Sequence, residues 1–273
     1  MRVSIPPDPE ARHHRIPVNP SDFPTVPGRP LVLGHRGASA EAPENTLAAF
    51  ARALDQGADG FELDVWRCAT GEAVVVHDED LVRTGQSPLR VREAPLAALR
   101  ELDVGGWRGE AFRGERVPTL PEVLEAFPRA VVNVEMKSAR IPDPGLTVEV
   151  TRAIRQAGAE GRVVVSSFSG TLLGAFRSIA PDVPSGFLVE SGPLAALRAG
   201  ALLRALRPAA IHAPRESATD ERIQAWKGAG LRVLVWTVDD PAEAERLARR
   251  GVDAIVSNRP GVVREAVRRV SGA

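Results

Sequence analysis

From residue 31 onward, two kinds of hydrophobic pattern alternate along the chain. Short runs of valine, isoleucine and leucine predict buried strands, and stretches with apolar residues every three or four positions predict amphipathic helices. The predicted strands span residues 31–35, 60–66, 73–77, 130–136, 162–167, 185–189, 209–212, 231–236 and 252–256. The predicted helices span residues 44–56, 121–127, 145–157, 169–179, 193–206, 218–229, 241–250 and 260–269.

These strands are one more than the eight that close a (β/α)₈ barrel, and one short connection explains the difference. About six residues, centred on Thr70-Gly71-Glu72, separate strands 60–66 and 73–77. A parallel crossover needs a dozen residues or more, so these two strands must form an antiparallel hairpin. Strand 73–77 therefore leaves the barrel. We predict an α/β fold, a (β/α)₈ TIM barrel of eight parallel strands.

Two regions lack this alternation of strands and helices. Residues 1–30 are rich in proline and polar residues, which predicts an extended N-terminal leader before a barrel domain over residues 31–273. Residues from about 78 to 118 predict a small insertion after the second barrel strand, packed at the mouth of the barrel.

The amino-acid composition limits the kinds of binding partner and the cellular compartment that we expect. The 35 Lys and Arg residues balance the 35 Asp and Glu residues, so no overall field attracts nucleic acid or an anionic membrane. Residues 1–30 contain no apolar run of signal-peptide length, and no run in the chain approaches the roughly 20 apolar residues that span a bilayer. A single cysteine, Cys68, excludes an internal disulfide and suits a reducing compartment. We predict a cytoplasmic protein without stable membrane insertion, acting on a small molecule.

Polar residues stand at the ends of four predicted strands. These segments are His35-Arg36-Gly37, Glu62-Leu63-Asp64, His77-Asp78 and Glu135-Met136-Lys137. Active sites of (β/α)₈ barrels lie at the carboxyl ends of the strands. Apolar strand interiors do not tolerate unpaired charge, so these groups need compensation. A divalent cation together with a phosphate ester would supply it.

Side-chain alternation places three carboxylates on one face of the predicted sheet. In strand 60–66 the apolar set faces the helices, and Glu62 and Asp64 face the lumen. In strand 130–136 the same rule turns Glu135 inward. Three oxygen ligands without a cysteine predict one divalent cation, Mg²⁺ or Ca²⁺ rather than Zn²⁺, and leave the choice between those two open.

Two histidines and two cations accompany the carboxylates. Near neutral pH, His35 and His77 can divide the roles of general acid and general base, which hydrolysis of a phosphodiester requires. Arg36 offers a planar fork that suits phosphate oxygens, and Lys137 adds a point charge. The alternative is a buried network in which Arg36 and Lys137 only neutralise the carboxylates.

Further motifs accompany these segments along the chain. They are Ala42-Pro43-Glu44-Asn45-Thr46, Gly57-Ala58-Asp59, Val75-Val76-His77-Asp78, Arg83-Thr84, Ser167-Phe168 and Trp236-Thr237-Val238. In order and spacing the whole set resembles the glycerophosphodiester phosphodiesterase family over roughly residues 31–262. The resemblance implies a metal-dependent barrel that hydrolyses glycerophosphodiesters to sn-glycerol 3-phosphate and an alcohol.

The resemblance also implies roles for single residues. Carried over by motif, the metal ligands are Glu62, Asp64 and Glu135, the acid/base pair is His35 and His77, and the phosphate contacts are Arg36 and Lys137. Phe168 and Trp236 lie where an apolar wall for the glycerol or alcohol is expected, with ordinary barrel packing as the alternative. We favour His77 as the acid for the leaving group. Whether water or the substrate's own hydroxyl is the nucleophile stays open.

Two departures from the family pattern stand out. The hairpin turn reads Thr70-Gly71 where the family has Asp-Gly, and the retained glycine still allows a positive φ. Near the C-terminus, Ser257-Asn258 replaces Thr-Asp, a change that we expect to leave the metal and the histidines untouched. His212 is a candidate pocket residue outside the catalytic set. Asp78 could orient His77, but adjacent strand residues face opposite sides.

Two other functions remain possible. The same fold could cleave lysophospholipids if residues 78–118 formed an acyl groove, although Trp107 and Phe112 are the only large aromatic residues there. A barrel could also bind phosphodiesters without turnover, but binding alone requires no acid/base pair. The head-group alcohol and the oligomeric state stay open.

Overall fold

Eight parallel strands close into a barrel in the computed structural model, which describes residues 23–139, 142–190, 202–203 and 205–272. The strands are β1 (Leu31–His35), β2 (Gly60–Arg67), β3 (Ala73–Val75), β4 (Asp80–Leu81), β5 (Ser87–Arg90), β6 (Val131–Met136), β7 (Val163–Ser167), β8 (Ser185–Leu188), β9 (Ala210–Pro214), β10 (Arg232–Trp236) and β11 (Ala254–Ser257). All except β3, β4 and β5 belong to the barrel, which closes because β1 pairs in parallel with both β2 and β11. The TIM-barrel prediction is confirmed.

The strand that leaves the barrel is the one that the short connection indicated. β3 pairs antiparallel with β2, with Val75 opposite Val65. Gly71 in the turn has a φ of +108°, which glycine adopts without a steric penalty. β3 ends at Val75, two residues earlier than predicted, so His77 lies in the loop that follows.

Most helices cover the outside of the barrel, and two short ones, at residues 82–85 and 96–100, belong to the insertion. The helices are α1 (Leu47–Asp55), α2 (Val82–Gly85), α3 (Leu96–Arg100), α4 (Leu120–Ala126), α5 (Pro144–Gln156), α6 (Gly170–Ile179), α7 (Asp220–Gly228), α8 (Pro241–Arg249) and α9 (Pro260–Ser271). α1 begins later than predicted because Thr46 caps it, its Oγ1 accepting a hydrogen bond from the Ala49 N–H. Glu44 and Asn45 therefore belong to the loop at the barrel mouth. The predicted helix 193–206 lies largely outside the described residues.

The two faces of the barrel strands bury different cores. Phe61, Leu63 and Val65 on β2 face the helices, and the Phe61 ring stacks on Phe50 of α1 with 4.2 Å between centroids. Phe23, in the segment predicted as the leader, is buried with apolar lumen residues of β1, β7, β9, β10 and β11. Side chains thus fill the lumen around Phe23. The domain boundary at residue 30 stays a prediction.

Residues 78–118 pack against the hairpin side of the barrel. This insertion contains β4, β5, α2 and α3, and its Leu81, Val91 and Leu99 form a buried cluster with Trp66 and Val76. In the described part of the chain, no helix is both long and apolar enough to cross a bilayer. The cytoplasmic location stays a prediction.

Candidate active site

A cavity of about 210 Å³ lies where the strand-end polar residues converge. The predicted site residues line it, apart from Asp64. Asp64 is 1% exposed and lies 3.2 Å from Arg36 Nε and 3.3 Å from Lys137 Nζ. The structure therefore brings the predicted set together around one space.

Three carboxylates meet beside this cavity. One oxygen each from Glu62, Asp64 and Glu135 lies within 4.8 Å of the other two. The cause is the register of two neighbouring strands, since Asp64 on β2 is paired with Glu135 on β6. Buried carboxylate oxygens at this spacing form the kind of ligand set that Mg²⁺ and Ca²⁺ prefer.

The electrostatics of the cluster favour an added cation. Burial, together with the charges of Asp64 and Glu135, raises the pKa of Glu62 well above its ordinary value. Burial and Asp64 raise the pKa of Glu135 to about 7. Burial also acts to raise the pKa of Asp64, but Lys137 and Arg36 outweigh it and lower the pKa to about 2. The two protein cations thus neutralise Asp64 and leave the glutamates under-compensated.

Arg36 is held by three carboxylates. Its backbone N–H donates to Glu62 Oε2 at 3.0 Å, and its Nη1 donates to Glu44 Oε1 at 2.9 Å. Its Nε lies 3.2 Å from Asp64 Oδ2, an ion-pair distance without hydrogen-bond geometry. The residue has a φ of +54°, a left-handed conformation that costs a non-glycine residue energy and is often found at functional sites.

His35 is fixed by the loop after β11. Its Nδ1 lies 2.7 Å from Asn258 Oδ1, and the Asn258 amide nitrogen donates to Asp239 Oδ2 at 2.7 Å. That second bond turns the amide oxygen toward His35, so Nδ1 carries the proton and Nε2 keeps its lone pair. The expectation that Asn258 would leave the histidines untouched is wrong. Barrel closure sets the end of β11 beside the end of β1.

His77 is fixed by an ion-pair bridge that the sequence pattern did not predict. Its Nδ1 lies 2.6 Å from Asp78 Oδ1, and Arg83 Nε donates to Asp78 Oδ2 at 2.8 Å. Arg83 also donates to both carboxylate oxygens of Glu44, at 2.5 and 2.8 Å. We call Glu44, Arg83 and Asp78 the carboxylate bridge. Asp78 can contact the adjacent His77 because β3 ends at Val75 and both residues lie in a loop, where side chains do not alternate as they do in a strand.

The surroundings of both histidines lower their pKa. Burial and the Arg36 charge lower the pKa of His35. Burial also lowers the pKa of His77, although Asp64 opposes the change. Burial thus favours the neutral imidazole over the imidazolium at both positions.

An aromatic pair and a third histidine complete the cavity. Phe168 and Trp236 meet edge to face, with 5.9 Å between ring centroids, and both line the cavity. His212 lines it as well and is completely buried. The signal for His212 in the sequence was only its place at the end of a predicted strand.

Comparison with known proteins identifies the family. A model described as the Glycerophosphoryl diester phosphodiesterase family matches residues 35–262. The chain belongs to this family. It is therefore an enzyme of the phosphodiesterase class, and the prediction from its motifs is confirmed.

Relatives of this phosphodiesterase family support the assignment. A glycerophosphodiester phosphodiesterase from Caldanaerobacter subterraneus subsp. tengcongensis is 36% identical over 241 residues, which cover 88% of this chain and 98% of that protein. A solved Oleispira antarctica phosphodiesterase, in complex with the product sn-glycerol-3-phosphate, is 30% identical with a TM-score of 0.81, covering 88% of this chain and 97% of that one. A solved glycerophosphodiester phosphodiesterase from Agrobacterium tumefaciens is 31% identical with a TM-score of 0.75, covering 89% and 100%.

Proposed function

We propose that the chain hydrolyses glycerophosphodiesters to sn-glycerol 3-phosphate and an alcohol with the help of one divalent cation, Mg²⁺ or Ca²⁺. The observation that carries this proposal is the cavity itself. It gathers three carboxylates with oxygens within 4.8 Å of one another, two histidines, an arginine and a lysine. The product complex of the Oleispira antarctica relative supports the choice of product.

The charged residues divide between cation and phosphate. Glu62, Asp64 and Glu135 would hold the cation, which when bound polarises a phosphoryl oxygen and offsets its negative charge. Arg36 and Lys137 bind the remaining phosphate oxygens and stabilise the charge that grows in the transition state. Their contacts with Asp64 and Glu135 keep both side chains extended toward the cavity before the substrate arrives.

The partners of the two histidines favour different roles. The partner of His35 Nδ1 is the neutral amide of Asn258, which leaves a lone pair on His35 Nε2. This lone pair suits a general base that takes the proton from the attacking hydroxyl. His77 has the carboxylate of Asp78 at Nδ1, which opposes the effect of burial and stabilises the imidazolium that would protonate the leaving alkoxide. This assignment makes His77 the acid. The attacking hydroxyl is either water or the substrate's adjacent hydroxyl.

The size of the cavity favours a small diester over a lysophospholipid. Its 210 Å³ lies below the range of about 300–1,000 Å³ typical of pockets for drug-sized ligands. In the insertion, Trp107 donates its Nε1–H to the Val104 carbonyl at 2.8 Å, so this aromatic residue stabilises its own loop. Hydrolysis of lysophosphatidylcholine faster than glycerophosphocholine would contradict the proposal.

The decisive experiment is release of sn-glycerol 3-phosphate from glycerophosphocholine by the purified protein. We expect activity to be lost in EDTA and restored by Mg²⁺ or Ca²⁺. His35→Ala and His77→Ala should each lower kcat about 10²–10⁴-fold, the usual contribution of a general acid or base. Glu135→Gln should abolish the response to metal, and Glu125→Gln, on the exposed face of α4, should not. Full activity in EDTA would refute the metal role.

A labelling experiment distinguishes the two nucleophiles. A cyclic glycerol phosphate seen during turnover would identify the substrate's hydroxyl. Solvent oxygen appearing in the product in one direct step would identify water.

A further inference from the structure

His212 is a buried histidine in the lumen of the barrel. It lies in the middle of β9, in register with Leu188 on β8 and Leu234 on β10, and it is completely buried while lining the cavity. Gly186 makes room for it, since a Cβ built on Gly186 would lie 2.0 Å from His212 Nε2. The absence of a side chain at position 186 on β8 thus leaves the space that the imidazole of His212 occupies in the lumen.

The ring of His212 lacks the anchors that hold the other two histidines. Neither of its nitrogens has a hydrogen-bond partner among the described residues. Burial lowers the pKa of His212 to about 3, so the imidazole is neutral and offers one N–H donor and one lone-pair acceptor. A buried polar group without a partner costs free energy, so such groups in native proteins call for an explanation, of which ligand binding is one.

Two more cavity residues share this property. Asn133 Oδ1 and Trp236 Nε1 are buried and have no hydrogen-bond partner within the part of the chain that the structure describes. Both residues line the same cavity as His212. Together the three offer an acceptor, a donor and one group that is both, and none carries charge.

The cavity therefore contains two chemically different sets of groups. Arg36, Lys137 and the carboxylates are suited to a phosphate and a cation. His212, Asn133 and Trp236 are suited to a neutral group that gives and accepts hydrogen bonds, as an alcohol does. Among the parts of a glycerophosphodiester, the glycerol moiety carries two such hydroxyl groups.

We propose that His212, with Asn133 and Trp236, binds the glycerol hydroxyl groups and sets the preference for a hydroxylated substrate. This inference rests on the proposed function. His212 makes the largest contribution because it both donates and accepts. Removing its polar nitrogens weakens hydroxyl recognition and leaves phosphate binding intact.

Calorimetry on the full chain with Mg²⁺ tests this without turnover, so the identity of the nucleophile does not matter. The probes are sn-glycerol 3-phosphate and n-propyl phosphate, which has the same three carbons and phosphate but no hydroxyls. The wild type should bind sn-glycerol 3-phosphate at least about tenfold tighter, equivalent to about 1.4 kcal/mol. His212→Leu should lower that ratio about tenfold and leave the affinity for n-propyl phosphate unchanged. Leu188→Met, at the neighbouring lining position, should keep the wild-type ratio.

Several outcomes would overturn the proposal. One is a wild-type protein that binds sn-glycerol 3-phosphate and n-propyl phosphate equally well, a result that can be obtained without any variant. Another is a His212→Leu protein whose affinity for inorganic phosphate falls as much as its affinity for sn-glycerol 3-phosphate, since His212 would then contact the phosphate. A lower melting temperature with equal loss of both affinities would indicate a structural role.

Further measurements cover failure to fold and failure of the proposed function. If His212→Leu does not fold, His212→Gln retains a donor and an acceptor and should keep part of the preference; loss of the whole preference in the folded variant would count against the proposal. If the wild type cleaves no glycerophosphodiester, the proposed function fails, but the ratio of the two affinities still reports on His212. The two failures are therefore distinguishable.

Discussion

Replacing Glu135 by glutamine should stabilise the metal-free protein, and only above a certain pH. Glu135 is 9% exposed and has Asp64 beside it, which with burial raises its pKa from the ordinary 4.5 to about 7. The folded state therefore keeps a proton that the unfolded state has lost between these two pH values. Because the folded pKa is the higher one, stability falls as the pH rises from about 4.5 to 7.

The magnitude follows from this rise in pKa. A change from 4.5 to about 7 corresponds to about 3 kcal/mol at 1.36 kcal/mol per pKa unit. Glutamine has nearly the same shape, can still accept the hydrogen bond that Lys137 Nζ donates at 2.8 Å, and does not ionise. We expect Glu135→Gln and the wild type to be similarly stable near pH 4.5. At pH 8 the variant should be about 3 kcal/mol more stable, or roughly 5–10 °C in Tm for a chain of this size.

Thermal melting in EDTA at pH 4.5 and pH 8 measures this difference. Glu125→Gln, on the exposed face of α4, is the matched control and should melt like the wild type at both values. Added Mg²⁺ should raise the Tm of the wild type and not that of Glu135→Gln, because only the wild type retains the third carboxylate. A Tm difference that does not change with pH, or a less stable variant at pH 8, would refute the reasoning.

Three further substitutions test the contacts around the site. Arg83→Gln removes the centre of the carboxylate bridge and should lower kcat about tenfold. It should change stability by less than about 1 kcal/mol, since the ion pairs of Arg83 are partly exposed. An unchanged kcat would show that the bridge does not position His77. Asn258→Asp gives His35 a negatively charged partner and raises the pKa of His35. The acid limb of the kcat/KM–pH profile should therefore move to higher pH. An acid limb at the same pH as in the wild type would show that His35 is not the base. Gly186→Ala should lower stability by about 1–3 kcal/mol through its clash with His212, and adding His212→Ala should restore it; no recovery would place the strain elsewhere.

Much of the barrel and the carboxylate cluster could be predicted from local sequence. The hairpin was predictable because a connection of about six residues cannot make a parallel crossover. Glu62 and Asp64 were predictable as lumen residues because side chains alternate strictly along a strand, and their apolar neighbours belong to the helix side. Each of these inferences depends on residues close together in the chain.

The contacts that orient the histidines could not be predicted in this way. Asn258 and His35 are 223 positions apart and meet only because β11 closes on β1. Arg83 joins Glu44 to Asp78 only because the insertion folds back over the first barrel loop. These distances depend on barrel closure and loop conformation, which no local pattern contains.

By itself, the sequence determined the order of strands and helices, the strand that leaves the barrel and the face on which the carboxylates lie. These properties follow from side-chain period and connection length, which are local. Only the tertiary structure decided which nitrogen of His35 is protonated, how Asp78 reaches His77 and why His212 fits over Gly186. Those properties depend on which distant segments closure brings within hydrogen-bond distance.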